Sequence, residues 1–372
     1  MLYPSVMKTI VLAANGEGFG HASRMVSLVQ SLDGRYRLVL FAPATIQTFL
    51  HEKLDGRTMQ PLRMYTIPCL EMAKQGDRIM YWRTIKNNLP TLLTVRTTLA
   101  KIRAQLKYEK ADALISDFEP FSTWAAKALN IPVLQLNHPG VVLRSNSIQI
   151  DALLAKFTAF LMMGVYTKRL LVSFYDGDIG PLIREEIRRQ KVVEGESILV
   201  CIKKEYRKQV LSALTKIGVG NFLVYPDPAN TKSYEEALAS CRAVITSAGH
   251  QTLSECIYLG KPVFALPQRG QYEQRLNAKW LESSGCGMRG GMRYLTDQLM
   301  RFVKNIEMKV CPGPVKFPWI SIKKDDWTER LVLRIIDFIE CNPSLRIIPL
   351  DAQLLDSWLR RTTDEASGRK IV

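Results

Sequence analysis

Short apolar runs alternate with segments of helical periodicity along most of this chain. The runs predict buried strands at residues 9–14, 37–41, 113–116, 133–136, 198–202, 222–225, 243–246 and 262–266. Apolar residues three or four positions apart predict helices at residues 22–32, 91–107, 207–216, 234–240 and 327–340. This alternation is typical of α/β folds with parallel sheets.

A joining region at residues 151–196 separates two such halves. We therefore expect two Rossmann-like domains, at residues 1–175 and 176–325, that face each other across a central cleft. Residues 326–372 are expected to add a C-terminal helix, which returns to the first domain, and a tail.

Candidate ligand-binding residues are most concentrated at residues 243–279. An apolar strand leads into a turn of small residues and then into a helix that Gly260 ends, which makes a βαβ unit. A helix that begins after Ala248 and Gly249 presents free N–H groups and a positive dipole end, which suit a phosphate. Glu255 lies two turns further on, and Glu273 and Gln274 are expected in the next loop, where they can bind hydroxyl groups.

The first half has its own glycine-rich turn, between the first strand and the first helix. Its glycines, at positions 16, 18 and 20, come directly before His21. Their G-x-G-x-G spacing differs from the G-x-G-x-x-G spacing of a dinucleotide-binding fingerprint. The next strand is also followed by no acid that could hold a ribose. We interpret the glycines as making room for a substrate near the backbone, with His21 facing the cleft.

Three more polar residues follow predicted strands of this half. Asp117 and Glu119 come after residues 113–116, and His138 comes after residues 133–136. The carboxyl ends of parallel strands share one edge of a sheet, so these side chains are expected to point into the cleft. A lone histidine is more often structural, but convergence of His21, Asp117 and His138 favours a functional cluster.

The chain of 372 residues carries a formal net charge of +16, which favours an anionic partner. Ten basic against three acidic residues at 61–110 account for nearly half of this excess, with Tyr81 and Trp82 among them. This region is either a solvated basic face or a contact surface for anionic membrane or a phosphorylated acceptor. Nucleic acid is not expected, because no RNA-binding or helix-turn-helix signature occurs.

Other features limit the location and the chemistry. Seven scattered cysteines without C-x-x-C spacing indicate reduced thiols in a cytosol, and the longest other apolar stretch, residues 152–165, is too short to span a bilayer. We expect a cytoplasmic protein, with peripheral contact at the inner membrane face left open. Asp176 and Asp178 have D-x-D spacing, but no buried strand delivers them, so no metal site is predicted.

Three motifs resemble those of a known family. Residues 16–24 match a GEGxGHxxR turn, residues 116–120 match a second motif, and residues 243–279 match the C-terminal motif. Over residues 7–340 the chain resembles inverting, metal-independent GT-B glycosyltransferases, namely the UDP-glycosyltransferases and the bacterial transferase that forms lipid II by adding N-acetylglucosamine. Within that group it is most similar to a prokaryotic branch that opens with the GEGxGHxxR turn.

The resemblance implies a donor side in the second domain. Ser247, Ala248, Gly249, His250, Gln251 and Thr252 fall on the diphosphate turn of a nucleotide-sugar site. Glu255 falls on the acid that binds ribose, and Glu273 and Gln274 fall on the pair that reads sugar hydroxyls, with Asn277 following. Lys203 and Lys204 replace the usual small residues of another loop, which leaves the phosphate contacts open.

The resemblance also implies an acceptor side in the first domain. His21 falls on the base and Asp117 on the aspartate that orients it, while Gly18, Gly20, Glu119 and His138 belong to the acceptor side. The implied reaction moves a sugar, by family habit from a UDP-sugar, to a hydroxyl of a lipid-linked or glycan acceptor without a cofactor. A GT-B UDP-sugar 2-epimerase and a basic nucleic-acid-binding protein remain the alternatives.

Overall fold

The computed structural model describes residues 7–70, 72–75, 78–308 and 326–341. The strands of its first half are β1 (Thr9–Ala14), β2 (Arg37–Ala42), β3 (Arg63–Thr66), β4 (Lys74–Gln75), β5 (Arg78–Ile79), β6 (Ala113–Asp117), β7 (Val133–Asn137) and β8 (Lys168–Leu171). Six of these form one parallel sheet in the order β3-β2-β1-β6-β7-β8, and β4 pairs with β5 as a short antiparallel ribbon. This order reverses beside β1, so a ligand cleft is expected at its carboxyl end.

Helices cover both faces of this first sheet. The helices between β1 and β9 are α1 (Phe19–Leu32), α2 (Ala44–Leu54), α3 (Tyr81–Leu93), α4 (Val95–Tyr108), α5 (Pro120–Lys127), a 3-10 helix (Pro139–Arg144), α6 (Ile150–Met163) and α7 (Glu185–Arg188), of which α7 packs on the second half. Strand β1 is buried along its whole length, because side chains on both faces of the sheet meet helices. Burial on both faces explains why such strands are continuous apolar runs in the sequence.

The second half is a smaller unit of the same kind. Its strands are β9 (Ile198–Cys201), β10 (Phe222–Val224), β11 (Ala243–Thr246), β12 (Val263–Ala265) and β13 (Gly287–Arg289). They form a parallel sheet in the order β10-β9-β11-β12-β13. Its helices are α8 (Lys204–Lys216), α9 (Tyr234–Ser240), α10 (His250–Tyr258), α11 (Tyr272–Ser283), a 3-10 helix (Met292–Tyr294) and α12 (Leu295–Glu307).

The last described helix, α13 (Asp326–Glu340), packs on the first sheet. Leu331, Ile335 and Phe338 join the apolar core of β1 and α1, and Lys8 Nζ lies 2.7 Å from Glu340 Oε2. The expected return of this helix to the first half is confirmed. The predicted tail beyond it lies outside the described residues.

One predicted helix is wrong in its limits. The pattern of residues 91–107 predicts one helix, but residues 91–93 end α3 and α4 begins at Val95. The Thr94 hydroxyl donates to the Pro90 carbonyl at 3.0 Å, and Thr94 ends α3 and precedes α4 with φ −95° and ψ 9°. A hydroxyl that binds the preceding turn competes with the helical ladder, which a periodicity pattern does not register. In the described residues, no helix is long and apolar enough to cross a membrane.

Candidate active site

A cleft with a volume of about 1020 Å³ lies between the carboxyl ends of the two sheets. The turns after β1 and β6 and helix α6 line one wall, and the turns after β9 and β11 and the start of α11 line the other. The starts of α1 and α10 meet there, since a Cβ added at Gly20 would lie 3.9 Å from Gln251 Cβ. Gly18 has φ +85°, which favours glycine in this turn.

His21, Asp117 and Arg24 form a buried cluster on the first wall. His21 Nδ1 lies 2.9 Å from Asp117 Oδ1. Arg24 donates from Nε to Asp117 Oδ2 at 2.8 Å and from Nη2 to Oδ1 at 3.1 Å. Burial alone would raise the pKa of Asp117, but the charge of Arg24 and the contact with His21 hold it below its usual range. The sequence prediction paired His21 with Asp117 and missed Arg24, although Arg24 closes the matched motif.

His138 lies on the floor of the cleft and links the two halves. Its Nδ1 lies 2.7 Å from the Val172 carbonyl oxygen, and its Nε2 lies 2.9 Å from Asn277 Oδ1 on α11. Its ring stacks on that of His250, with centroids 3.7 Å apart. Burial lowers the pKa of His138 to about 3, so the ring is neutral. A neutral ring carries one N–H, so it donates to only one of these two oxygens.

The prediction that Glu119 points into the cleft is wrong. Its Oε1 accepts from Phe121 N at 2.7 Å and its Oε2 from Ser122 N at 2.8 Å, which caps the start of α5. The chain turns at Phe118, where φ is +62°, and this directs the next side chain onto the helix. Burial raises the pKa of Glu119 to about 7.

The turn before α10 lines the second wall. Ser247, Gly249, His250, Gln251 and Thr252 border the cleft. Three buried polar atoms have no hydrogen-bond partner among the described residues, namely Ser247 Oγ, His250 Nδ1 and Gln251 Oε1. A buried polar atom without a hydrogen bond destabilises the folded protein. Several such atoms together at a helix start therefore indicate a site for a polar ligand.

Ala248, also predicted on the diphosphate turn, does not border the cleft. It is fully buried in the apolar core of the second half. Its carbonyl accepts from Asn277 Nδ2 at 3.1 Å, so α11 holds the turn from behind. An alanine between two small residues gives no sign in the sequence of which side chain turns inward, and the assignment of Ala248 to the diphosphate turn stays a prediction about its backbone.

Glu255 is the centre of a buried ionic network. Arg184 Nε and Gln251 Nε2 donate to its Oε1 at 2.8 and 3.1 Å. Arg184 Nη2 and the Tyr234 hydroxyl donate to Oε2 at 3.2 and 3.4 Å. Arg184 also donates to Glu235 at 2.7 Å, and Lys53 of α2 lies 3.7 Å from that carboxylate. A carboxylate has about four lone-pair positions, and all four are used here.

Glu273 and Gln274 lie in the first turn of α11, although a loop was expected there. The loop ends at Gln271, which provides no side-chain cap, so the helix start carries no capping signal in the sequence. Gln274 Oε1 accepts from Gln268 N at 2.9 Å. Glu273 Oε1 lies 3.7 Å from His138 Nε2, and burial raises the pKa of Glu273.

Other charged residues line the cleft or pair with one another within the fold. Lys203, Lys204 and Arg207 line the cleft beside the carboxyl end of β9. Asp176 and Asp178 both pair with Arg144, which gives the D-x-D motif a role within the fold. Among the described residues, no three His, Cys, Asp or Glu side chains are placed to hold a metal ion.

Comparisons with known proteins agree on the kind of protein this is. An uncharacterized glycosyltransferase of Methanosarcina mazei is 23% identical and aligns over 75% of this chain and 84% of its own. The structure of Phytolacca americana UGT2 superposes with a TM-score of 0.55 and 16% identity, over 96% of this chain and 100% of that one. MurG of Acinetobacter baumannii superposes with a TM-score of 0.52 and 14% identity, over 89% and 99%.

The two structural neighbours share the two-domain α/β architecture known as GT-B, so the predicted fold class is confirmed. The sequence profile of Glycosyl transferase family 1 matches residues 8–307, which is most of the chain. The chain is a glycosyltransferase with the GT-B fold and belongs to Glycosyl transferase family 1.

Proposed function

We propose that this enzyme moves a sugar from a nucleotide-sugar donor, specifically a UDP-sugar, to an acceptor hydroxyl, with inversion and without a metal. One observation carries the proposal. The unpartnered polar atoms at the start of α10 and His21, which Asp117 contacts from the buried side, lie on opposite walls of the same cleft. The structure of Phytolacca americana UGT2, which superposes on this chain, contains UDP-2fluoro-glucose, and this supports the choice of UDP.

The start of α10 is the proposed diphosphate site. Its N–H groups and positive dipole end stabilise the charge that develops on a leaving diphosphate, without a metal. Ser247 Oγ can donate to a phosphate oxygen, and Gly249 borders the same space. The unpartnered atom of Gln251 is Oε1, which can only accept, so it suits a hydroxyl group of the donor. Lys204 and Arg207 add positive charge on that wall. Thr252 follows within the first turn.

Glu255 is the proposed ribose ligand, and its present hydrogen bonds limit how a ribose can bind. Because its carboxylate already accepts four hydrogen bonds, a ribose hydroxyl must replace one of them. The longest is that from the Tyr234 hydroxyl, at 3.4 Å. Glu273 and Gln274, at the start of α11, are the proposed ligands of the sugar hydroxyls.

His21 is the proposed base. Its Nδ1 proton is held by Asp117, which leaves Nε2 as the nitrogen that accepts a proton from the acceptor hydroxyl. Attack by that oxygen breaks the bond between the anomeric carbon and the diphosphate, and the configuration inverts. His138 supports this wall from below, and Gly18 and Gly20 keep the backbone of the turn close to the acceptor.

An acceptor carried on a lipid at the cytoplasmic face of an anionic membrane fits the surface beside the cleft. Trp82 and Leu93 on α3 are 80% and 76% exposed, with Arg83 and Lys86 close by in sequence. Phe157 on α6 is 61% exposed, and other residues of α6 line the cleft. Exposed aromatic and basic side chains together are typical of membrane-surface contacts. The side chain of Tyr81, the second predicted anchor, lies outside the described residues.

A thermal-shift panel of UDP-, GDP-, dTDP- and CMP-sugars tests the proposal. A ligand that binds the folded state raises the melting temperature by mass action, and we expect the UDP-sugars to do so most. Stabilisation by none of the four classes would contradict the proposal. Conversion of UDP-N-acetylglucosamine alone to its 2-epimer would instead identify an epimerase.

A further inference from the structure

Arg24 lies one turn after His21 on α1 and is only 3% exposed. It donates to both oxygens of Asp117, and its Nη2 lies 3.2 Å from His21 Nδ1. A histidine and an aspartate suffice for a proton-accepting pair, and a third, permanently charged member changes the electrostatics of that pair.

We infer that Arg24 is a positioning residue that holds Asp117 in one orientation and offsets the negative charge that Asp117 presents to His21. The inference rests on the proposed role of His21 as the base. Arg24 Nε donates to Asp117 Oδ2, while Arg24 Nη2 and His21 Nδ1 both approach Oδ1, so Arg24 fixes the orientation in which the carboxylate meets His21. Arg24 is only a donor, and the Nδ1–H tautomer is the one that lets His21 donate to Oδ1.

The charges in the cluster give the inference its direction. The charges of buried Arg24 and Asp117 offset each other, so a proton added to His21 gives this three-residue cluster a net positive charge. Other groups face the same space. They are the acids Glu273 and Glu17, and the histidines His138 and His250, whose pKa values burial lowers. Without Arg24, the Asp117 charge would act on His21 alone and stabilise its imidazolium.

The titration of His21 measures this effect without any assay of activity. The chain contains four histidines, so their ring signals can be assigned by NMR with one substitution for each. We expect R24M and R24Q to raise the pH midpoint of His21 by about one unit or more, because a charge within about 4 Å is removed. R24K keeps the charge, so its midpoint is expected to stay close to the wild-type value.

R37M is the matched control. Arg37 pairs with Glu109, which is as deeply buried as Asp117 and belongs to the same half of the chain, away from the cleft. R37M is expected to lower the melting temperature and leave the His21 midpoint unchanged. R24Q keeps an N–H donor toward Asp117, so it reports the shift even where R24M fails to fold.

The outcomes separate this inference from the proposed function. An unshifted His21 midpoint in R24Q, or an equal upward shift in R24K, would overturn the role of Arg24. Full activity of H21A would overturn the proposed base instead, whatever the titration shows. An upward shift in R24Q but not in R24K, together with an inactive H21A, is the result we expect.

Discussion

Asp117 Oδ1 lies 2.9 Å from His21 Nδ1, and the carboxylate is buried beneath the ring. The aspartate can only accept, so this contact favours the tautomer with the proton on Nδ1. In the proposed mechanism the other nitrogen takes a proton in the cleft. The contact joins the end of β6 to the start of α1, so it depends on the fold and not on neighbouring residues in the chain.

Substitution of Asp117 by asparagine tests that contact. We expect D117N to lower kcat by about 10²-fold or more, because an amide no longer holds the tautomer or stabilises the imidazolium. Release of the nucleoside diphosphate from the donor measures it. D55N is the control, since Asp55 lies 3.2 Å from His51 in an exposed pair. Equal rates in D117N and D55N would show that the pair has no part in turnover.

Arg184 offers a test of the donor side. R184M is expected to weaken nucleotide binding about tenfold or more, because Glu255 loses the fork that fixes its carboxylate. E255A removes the carboxylate and should act in the same direction. Calorimetric titration with UDP gives both dissociation constants. The control is R189M, which breaks an exposed pair with Glu185. Unchanged binding in E255A would remove the ribose assignment.

The start of α11 should control which sugar is used. E273Q replaces an acid by an amide at the same position, and we expect it to change the ratio of kcat/KM between UDP-sugars about tenfold. The affinity for UDP alone should stay the same. E282Q, at an exposed site of the same helix, is the control and should leave both quantities unchanged. A uniform loss of activity with every sugar would argue against a role in sugar choice.

Glu119 predicts a pH dependence of stability. Burial raises its pKa from 4.5 to about 7, so the folded protein binds a proton more tightly than the unfolded chain. The stability from this group is therefore complete below pH 4.5 and is lost as the pH rises to about 7. E119Q loses one capping acceptor at every pH, but its free energy of unfolding should gain on that of the wild type between pH 4.5 and pH 8, by roughly 3 kcal/mol at most. A constant difference across that range would contradict the prediction.

The patterns that predict the fold are local, and they succeed where local physics decides. Continuous apolar runs such as residues 9–14 and 243–246 become central strands, because a parallel sheet buries both faces. Gly18 is recognisable for a similar reason, since its positive φ favours glycine. The turns after β1 and β11, which border the cleft, could be located in this way from the sequence alone.

The failures share a different cause. Arg184 comes from the segment between the two halves, and its partner Glu255 is 71 residues away, so no spacing links them. Glu119 and Asp117 are separated by one residue, and only the backbone turn at Phe118 decides that one caps a helix while the other meets His21. The sequence shows which residue types gather at a sheet edge but not which way each side chain turns.

The most direct test of the two-sided site measures binding and turnover together in H21A. If α10 holds the donor and His21 acts on the acceptor, H21A should bind UDP within about twofold of the wild type and lose about 10²-fold or more in kcat. H51A, at an exposed histidine, is the control and should change neither. Full turnover in H21A, or a loss of binding as large as the loss of turnover, would contradict this account.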